Sequence, residues 1–333
     1  MTVIRVLSLR ARSTFLALNR VARLSVCALC AIALLTPAAH AATGGNQRVT
    51  VKYASKYVHI TPSRKPLRTG ADSAKSTFEG IPAFESNSVL VVDFSDGQTL
   101  YAKNPQSVAP IASITKLMTA MVVLDAGLPL DEELNIEIAD FDFLKFTHSR
   151  LGMGSRLARR ELLRLALMSS ENRAAAALGR AYPGGRQAFT AAMNRKAGEL
   201  GMSNTRFVDS TGLSSDNVSS AQDLVKMVHA AYRYPLIREF TTTSAHEVEN
   251  LAGHHLQFGN TNALVKNPAW KIGLSKTGYI RQAGRCLVMQ ARIAARPVII
   301  VLLDSSGKQT RLADANRIKT WLEGSASRTP RVS

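Results

Sequence analysis

Two apolar runs sit far apart in this chain, Ser88-Val89-Leu90-Val91-Val92-Asp93-Phe94 and Val298 to Leu303, with a long helix-patterned stretch between them. Each reads as a strand. Asp96-Gly97 is a tight-turn signal, and Thr99-Leu100-Tyr101-Ala102 supplies a returning strand beside the first. Trp270 to Ile280 and Arg285 to Ala294 are further strand candidates, the latter joined to Val298–Leu303 through Ala295-Arg296-Pro297. Between these ends the period is helical: Arg160–Met168, Asn172–Tyr182, Gln187–Gly201, and Ser220–Tyr232 with Ser219 or Ser220 as cap. A closing helix spans Arg311–Leu322. Strands at both ends with helices between predict one sheet assembled from distant segments, an α/β (α+β) fold with an all-helical lobe inserted at about 117–235. Sites form in the cleft such a layout leaves between lobes.

The first 41 residues set the compartment. Arg5, Arg10, Arg12, Arg20 and Arg23 precede an apolar run from Ser25 to Leu35, and Ala39 and Ala41 form the small-x-small cleavage pattern of a secretory signal. The apolar run is too short to span a bilayer comfortably. Residues 42–84, rich in Thr, Gly, Ser, Lys and Arg, read as a basic flexible linker, with one weakly alternating stretch from Val49 to Val58. The folded body is expected from Glu85 to 323, and 324–333 as a disordered tail. The chain has 42 Lys and Arg against 24 Asp and Glu, a formal +18, and stays strongly basic once the leader is removed. An exported basic protein suits an anionic cell-wall polymer; no nucleic-acid-binding module is recognisable. Cys27 and Cys30 leave with the leader, so Cys286 is expected alone as a buried thiol, without disulfide or cysteine metal site. No metal is assigned to His254-His255 or to the scattered His148, His229 and His246, and no cofactor is implied.

Chemistry concentrates first in Ala109-Pro110-Ile111-Ala112-Ser113-Ile114-Thr115-Lys116-Leu117-Met118. Pro110 suits a helix entry and Gly127 a stop, which places Ser113 on a first helical turn. Orphan N–H groups there favour developing negative charge. Lys116, three residues on, shares that face, so its amine can reach the Ser113 hydroxyl and act as the base a serine nucleophile needs. The motif is short, and Ser305-Ser306-Gly307-Lys308 repeats it in what reads as a turn. Two other stretches complete a set. Ser169-Ser170-Glu171-Asn172 interrupts a helical pattern with residues that compete for backbone hydrogen bonds. Lys276-Thr277-Gly278 ends a strand candidate, where a lysine beside a hydroxyl can clamp a carboxylate while substrate backbone passes close to the glycine. Ser215-Asp216-Asn217 also fits Ser-x-Asn, but it follows Thr211-Gly212-Leu213 in a polar stretch that reads as an exposed loop.

Ser-x-x-Lys, Ser-x-Asn and Lys-Thr-Gly in this order resemble the signature of penicillin-binding proteins and serine β-lactamases. The intervals Lys116–Ser170 and Asn172–Lys276 suit the low-molecular-weight D-alanyl-D-alanine peptidases, and taking Ser215 instead would nearly double the first. The longer runs Pro110–Asp125, Ala166–Ala175, Tyr182–Gly185, Gly201–Val208 and Gly259–Asn262 resemble the D-alanyl-D-alanine endopeptidase (penicillin-binding protein 7) branch. The likeness covers roughly Ser88 to Leu322. It implies a β-lactamase/transpeptidase-like fold, an antiparallel sheet flanked by helices.

The resemblance also implies roles. Ser113 attacks a D-alanyl carbonyl, Lys116 takes its proton, and Ser170 relays a proton to the leaving amine. Asn172 holds substrate amides and the Lys116 side chain. Lys276 and Thr277 bind the substrate's terminal side, Gly278 leaves room, and the backbone N–H groups of Ser113 and Tyr279 form the oxyanion hole. The implied substrates are cross-linked peptidoglycan peptides, with β-lactams as inhibitors and the periplasm as location; no membrane anchor is expected after signal cleavage. Two departures stand out. Glu171 occupies a position where Asp is commoner, a change expected to touch packing more than chemistry. No Glu-x-x-Leu-Asn follows Asn172, which disfavours rapid antibiotic hydrolysis. A carboxypeptidase trimming terminal D-Ala and a non-catalytic wall-binding protein are the competing readings.

Overall fold

The computed structural model describes residues 82–143, 145–249 and 253–328. The expected leader, the linker up to residue 81, the Val49–Val58 stretch and the last five residues lie outside them. In chain order, β1 (Ser88–Asp93) and β2 (Thr99–Lys103) form the expected hairpin, followed by the two-residue β3 (Ala109–Pro110) and helix α1 (Thr115–Asp125). Short strands β4 (Glu133–Asn135) and β5 (Arg156–Ala158) come before helices α2 (Arg159–Met168), α3 (Asn172–Arg180) and α4 (Gly185–Glu199). Strand β6 (Val218–Ser219) precedes α5 (Ala221–Ala231) and α6 (Pro235–Thr242). The hairpin β7 (Ala245–Glu249) and β8 (His255–Gly259) leads to three long strands, β9 (Lys271–Ile280), β10 (Gly284–Ile293) and β11 (Arg296–Ser305), and the chain closes on α7 (Thr310–Arg328).

The sheet runs β2-β1-β11-β10-β9, antiparallel at every junction, and so joins the first and last strands of the described residues. Both of its faces are buried. Val298, Ile300 and Leu302 point to the side covered by Ala315, Ile318, Trp321 and Leu322 of α7. Ile299, Val301 and Leu303 point to the side covered by α1 and α5. Period-two alternation with apolar residues on both faces produces an unbroken hydrophobic run, which is why these strands are so legible.

Three expectations need correction. The inserted segment is not all-helical: β4 pairs with β5, and β3 pairs with β6. Pro110 sits in β3 rather than at a helix start, and Ser113 lies in a 3-10 turn, Ala112–Ile114, just before α1. Helix α7 continues past Leu322 to Arg328, so part of the expected tail is helical. Helix α6 and the β7–β8 hairpin had no clear sequence signal, being short and half exposed.

Candidate active site

The Ser113 turn is built on strain. Ala112 takes φ +47°, a left-handed conformation costly for a residue with a Cβ, and the turn is held by its packing. A Cβ on Gly212 (φ +82°) would stand 2.0 Å from the Ala112 carbonyl oxygen, and one on Gly278 2.8 Å from the Ile111 oxygen and 3.2 Å from the Ser113 nitrogen. Two glycines thus let the 209–214 turn and strand β9 press against the Ser113 turn from two directions.

Lys116 is fully buried on the first turn of α1. Its Nζ donates to Ser113 Oγ (2.9 Å), Asn172 Oδ1 (2.8 Å) and the Thr211 carbonyl (2.6 Å). Three acceptors use the three donors of an ammonium. Burial nevertheless pulls its pKa down to about 7, against the opposing pull of the Asp209 and Glu171 carboxylates. Lys276, also buried, donates to Ser170 Oγ (2.9 Å) and the Thr277 carbonyl (3.0 Å). Burial first, then the cations Lys116 and Arg311, hold its pKa well below the usual lysine range. Thr277 Oγ1 donates to Thr261 Oγ1 (2.7 Å).

Ser170 and Asn172 come from the junction of α2 and α3. Ser170 has φ +62°, a left-handed kink that turns the chain sharply between the two helices. Glu171 caps α3 by accepting from the Arg173 N–H (3.2 Å). Its carboxylate also acts on Lys116, so the Glu has an electrostatic role beyond packing. The Asn172 amide nitrogen donates to Thr147 Oγ1 (3.0 Å), which fixes its oxygen toward Lys116. Ser113, Lys116, Ser170, Asn172, Lys276, Thr277 and Gly278 are therefore brought together. The Ser113 and Ser170 hydroxyls are half-buried while both amines are buried. Tyr279 follows on β9 with its side chain 55% exposed and the Arg285 guanidinium 4.4 Å above its ring.

Several residues here carried no sequence signal. The Asp209 carboxylate accepts from the N–H groups of Thr211, Gly212 and Ser214 and from the Thr211 hydroxyl, and so aims the Thr211 carbonyl at Lys116. Arg311 Nη1 lies 3.4 Å from the Gly278 carbonyl, and among the described residues its buried Nε has no hydrogen-bond partner. The Ser215-Asp216-Asn217 stretch is only partly the exposed loop expected. Asp216 is exposed, but Asn217 is fully buried, accepting from Val208 N (2.6 Å) and donating to Thr115 Oγ1 (3.2 Å). It braces the turn behind Ser113 and takes no place beside Lys116. Ser305 ends β11, buried, with its hydroxyl 2.7 Å from that of Ser86. Cys286 is a buried free thiol, which burial pushes up to about 11. His255 pairs with Glu247 and His246 with Glu161, while His229 stacks on Phe94.

A serine hydroxyl bonded to a buried amine, beside a second hydroxyl–amine pair, fits a serine peptidase of the penicillin-binding class. Residues 75–307 match the family described as D-alanyl-D-alanine carboxypeptidase, and the chain belongs to that family. It is 52% identical to a D-alanyl-D-alanine endopeptidase of Pseudomonas aeruginosa, over 72% of this chain and 77% of the relative. It is 49% identical to one from Escherichia coli, over 76% and 82%. The Streptomyces K15 DD-transpeptidase structure superposes with a TM-score of 0.67 at 28% identity, covering 72% of this chain and 97% of that one.

Proposed function

We propose that this chain is a periplasmic, penicillin-sensitive serine DD-endopeptidase that hydrolyses D-alanyl cross-links in peptidoglycan through an acyl-enzyme on Ser113. The observation that carries the reading is the 2.9 Å contact between Lys116 Nζ and Ser113 Oγ, made by a buried amine with a pKa near neutrality. Such an amine is uncharged in a substantial fraction of molecules at pH 7 and can accept a proton.

The steps follow from the positions. Ser113 Oγ attacks the carbonyl of a D-alanyl peptide bond as its proton passes to Lys116. The oxyanion forms against the backbone N–H groups of Ser113 and Tyr279, each such donor worth about 3–4 kcal/mol. Ser170, bonded to Lys276, passes a proton to the leaving amine and resets through that lysine. Lys276 and Thr277 supply donors for the substrate's terminal side, and the Arg311 guanidinium, 3.4 Å from the Gly278 carbonyl, adds positive charge behind them. Gly278 lets its backbone lie close. Water then releases the acyl group. A β-lactam would acylate the same serine and leave slowly. The basic surface supports attraction to the anionic wall, and among the described residues no helix is long and apolar enough to cross a membrane.

The carboxypeptidase reading is favoured by the description of the matching family. One experiment separates the two. Purified cell wall is incubated with the enzyme and the muropeptides are resolved: cross-linked dimers falling as monomers rise supports the endopeptidase, whereas loss of terminal D-Ala without new monomers supports the carboxypeptidase.

A further inference from the structure

The stretch made by residues 141–143 and 145–149 is more elaborately constructed than its single contact with Asn172 requires. The Asp142 carboxylate accepts from the Lys145 N–H (2.9 Å) and the Thr147 N–H (3.0 Å), clamping a turn around residue 146. On one side of that residue, Thr147 accepts from Asn172. On the other, Lys145 Nζ donates to Gln282 Oε1 (3.1 Å). Gln282 belongs to the turn joining β9 to β10, so the loop bridges the α2–α3 junction, at Asn172, and the β9–β10 turn. Between these anchors Phe146 adopts φ +50° and is 80% exposed. A large apolar side chain held in a left-handed conformation and presented to water is unfavourable twice over. Strain of this kind persists where surrounding contacts over-determine it, and it recurs at ligand clamps. Phe143, 61% exposed, stands nearby with its ring stacked on Phe141, which lies under the Arg173 guanidinium.

We propose that Phe146 and Lys145 form a subsite for the stem peptide on the acyl side of the scissile bond, making this loop a determinant of substrate length. The inference rests on the peptidase reading, and the direction of β9 supplies the occupant. If Lys276 and Thr277 take the substrate's terminal side, an acyl segment extended along β9 passes Gly278 and Tyr279 and arrives at the β9–β10 turn. That is three to four residues of extended chain, roughly 10 Å, from the reacting carbonyl. The loop is tied to both ends of that path, through Thr147 to Asn172, whose oxygen holds Lys116, and through Lys145 to Gln282 in the β9–β10 turn. Stem peptides carry free carboxylates, and the rim here is cationic: Lys145 spends its hydrogen bond on a neutral amide, and Arg281 beside Gln282 is exposed. An aromatic face flanked by cations suits an extended anionic peptide.

The test compares two substrates and one inhibitor. The first substrate is a stem-peptide dimer with complete stems, and the second is the same cross-link with the acyl side cut back to an N-acetylated D-alanine. Benzylpenicillin reports the chemistry alone. Phe146→Asn keeps a residue that tolerates the left-handed backbone, and Lys145→Gln removes the charge and shortens the contact to Gln282. The expected result is a fall of about tenfold in kcat/KM on the complete stem for Phe146→Asn, as suits loss of an aromatic contact, and a smaller one for Lys145→Gln. The truncated substrate and penicillin acylation should stay within about twofold of wild type. Equal losses on both substrates, or no loss on either, overturn the subsite. A wild-type enzyme that neither reacts with benzylpenicillin nor cuts either substrate overturns the peptidase reading itself.

Discussion

Gly212→Ala tests how the nucleophile is positioned, at a residue that makes no contact with the reacting hydroxyl. The added Cβ would sit 2.0 Å from the Ala112 carbonyl oxygen, 2.4 Å from its carbon and 2.9 Å from the Ser113 nitrogen. All three atoms are backbone, so no side-chain rotation relieves the overlap, and separation to ordinary contact needs a shift of well over 1 Å. The left-handed φ of +82° adds about 1–2 kcal/mol for a residue with a Cβ. Either the 209–214 turn retreats, carrying the Thr211 carbonyl away from Lys116, or the Ala112–Ser113 turn moves off its base. A displacement of about 1 Å in a reacting group costs on the order of a hundredfold in rate. The assay is stopped-flow acylation by a fluorescent penicillin, with the melting temperature followed in parallel. The expected outcome is acylation slowed about a hundredfold in a protein that still folds. Wild-type acylation at an unchanged melting temperature would refute the close-packed account of the nucleophile turn.

Other expectations follow from the same geometry. With Lys116 as the proposed base, and burial holding its pKa to about 7, acylation should fall about tenfold per pH unit below that value and level off above it. The stability effect has a definite sign: with the folded pKa below the unfolded one, the penalty for the buried charge is largest below pH 7 and fades as pH rises toward 10.5, so chemical denaturation should show stability from this group increasing across that window. Thr147→Val removes the acceptor of the Asn172 amide, and with it the restraint on the oxygen that holds Lys116; kcat/KM should fall about tenfold while the melting temperature moves little. Asp314→Ala strands the Ser86 N–H and hydroxyl that its carboxylate binds at 2.8 and 2.7 Å, and should cost about 2–3 kcal/mol in urea unfolding with acylation unchanged.

The parts of this molecule that the sequence makes legible are those governed by local pattern. Strands β1, β10 and β11 announce themselves because both faces are buried, and Ser113 and Lys116 because a helical turn fixes their spacing. Placing Ser170 and Lys276 in the same cleft needed family resemblance, since they stand 106 residues apart and meet only through tertiary packing. Asp209, Thr147 and Arg311 escaped notice for a physical reason: each acts through a contact with a distant segment, and its own neighbourhood looks like ordinary loop or helix. Asn217 shows the opposite hazard. Its Ser-Asp-Asn setting fits a catalytic motif better than Ser170-Glu171-Asn172 does, yet its amide is consumed bracing Val208, Asp209 and Thr115. Interval along the chain separated the two where residue type could not.

Whether the serine beside the buried amine is the one that reacts can be measured directly. After brief exposure to benzylpenicillin, the intact mass should rise by one penicilloyl group, peptide mapping should place it on Ser113, and Ser113→Ala should carry none. An adduct on Ser170 or Ser305, or one that survives in Ser113→Ala, would contradict the account.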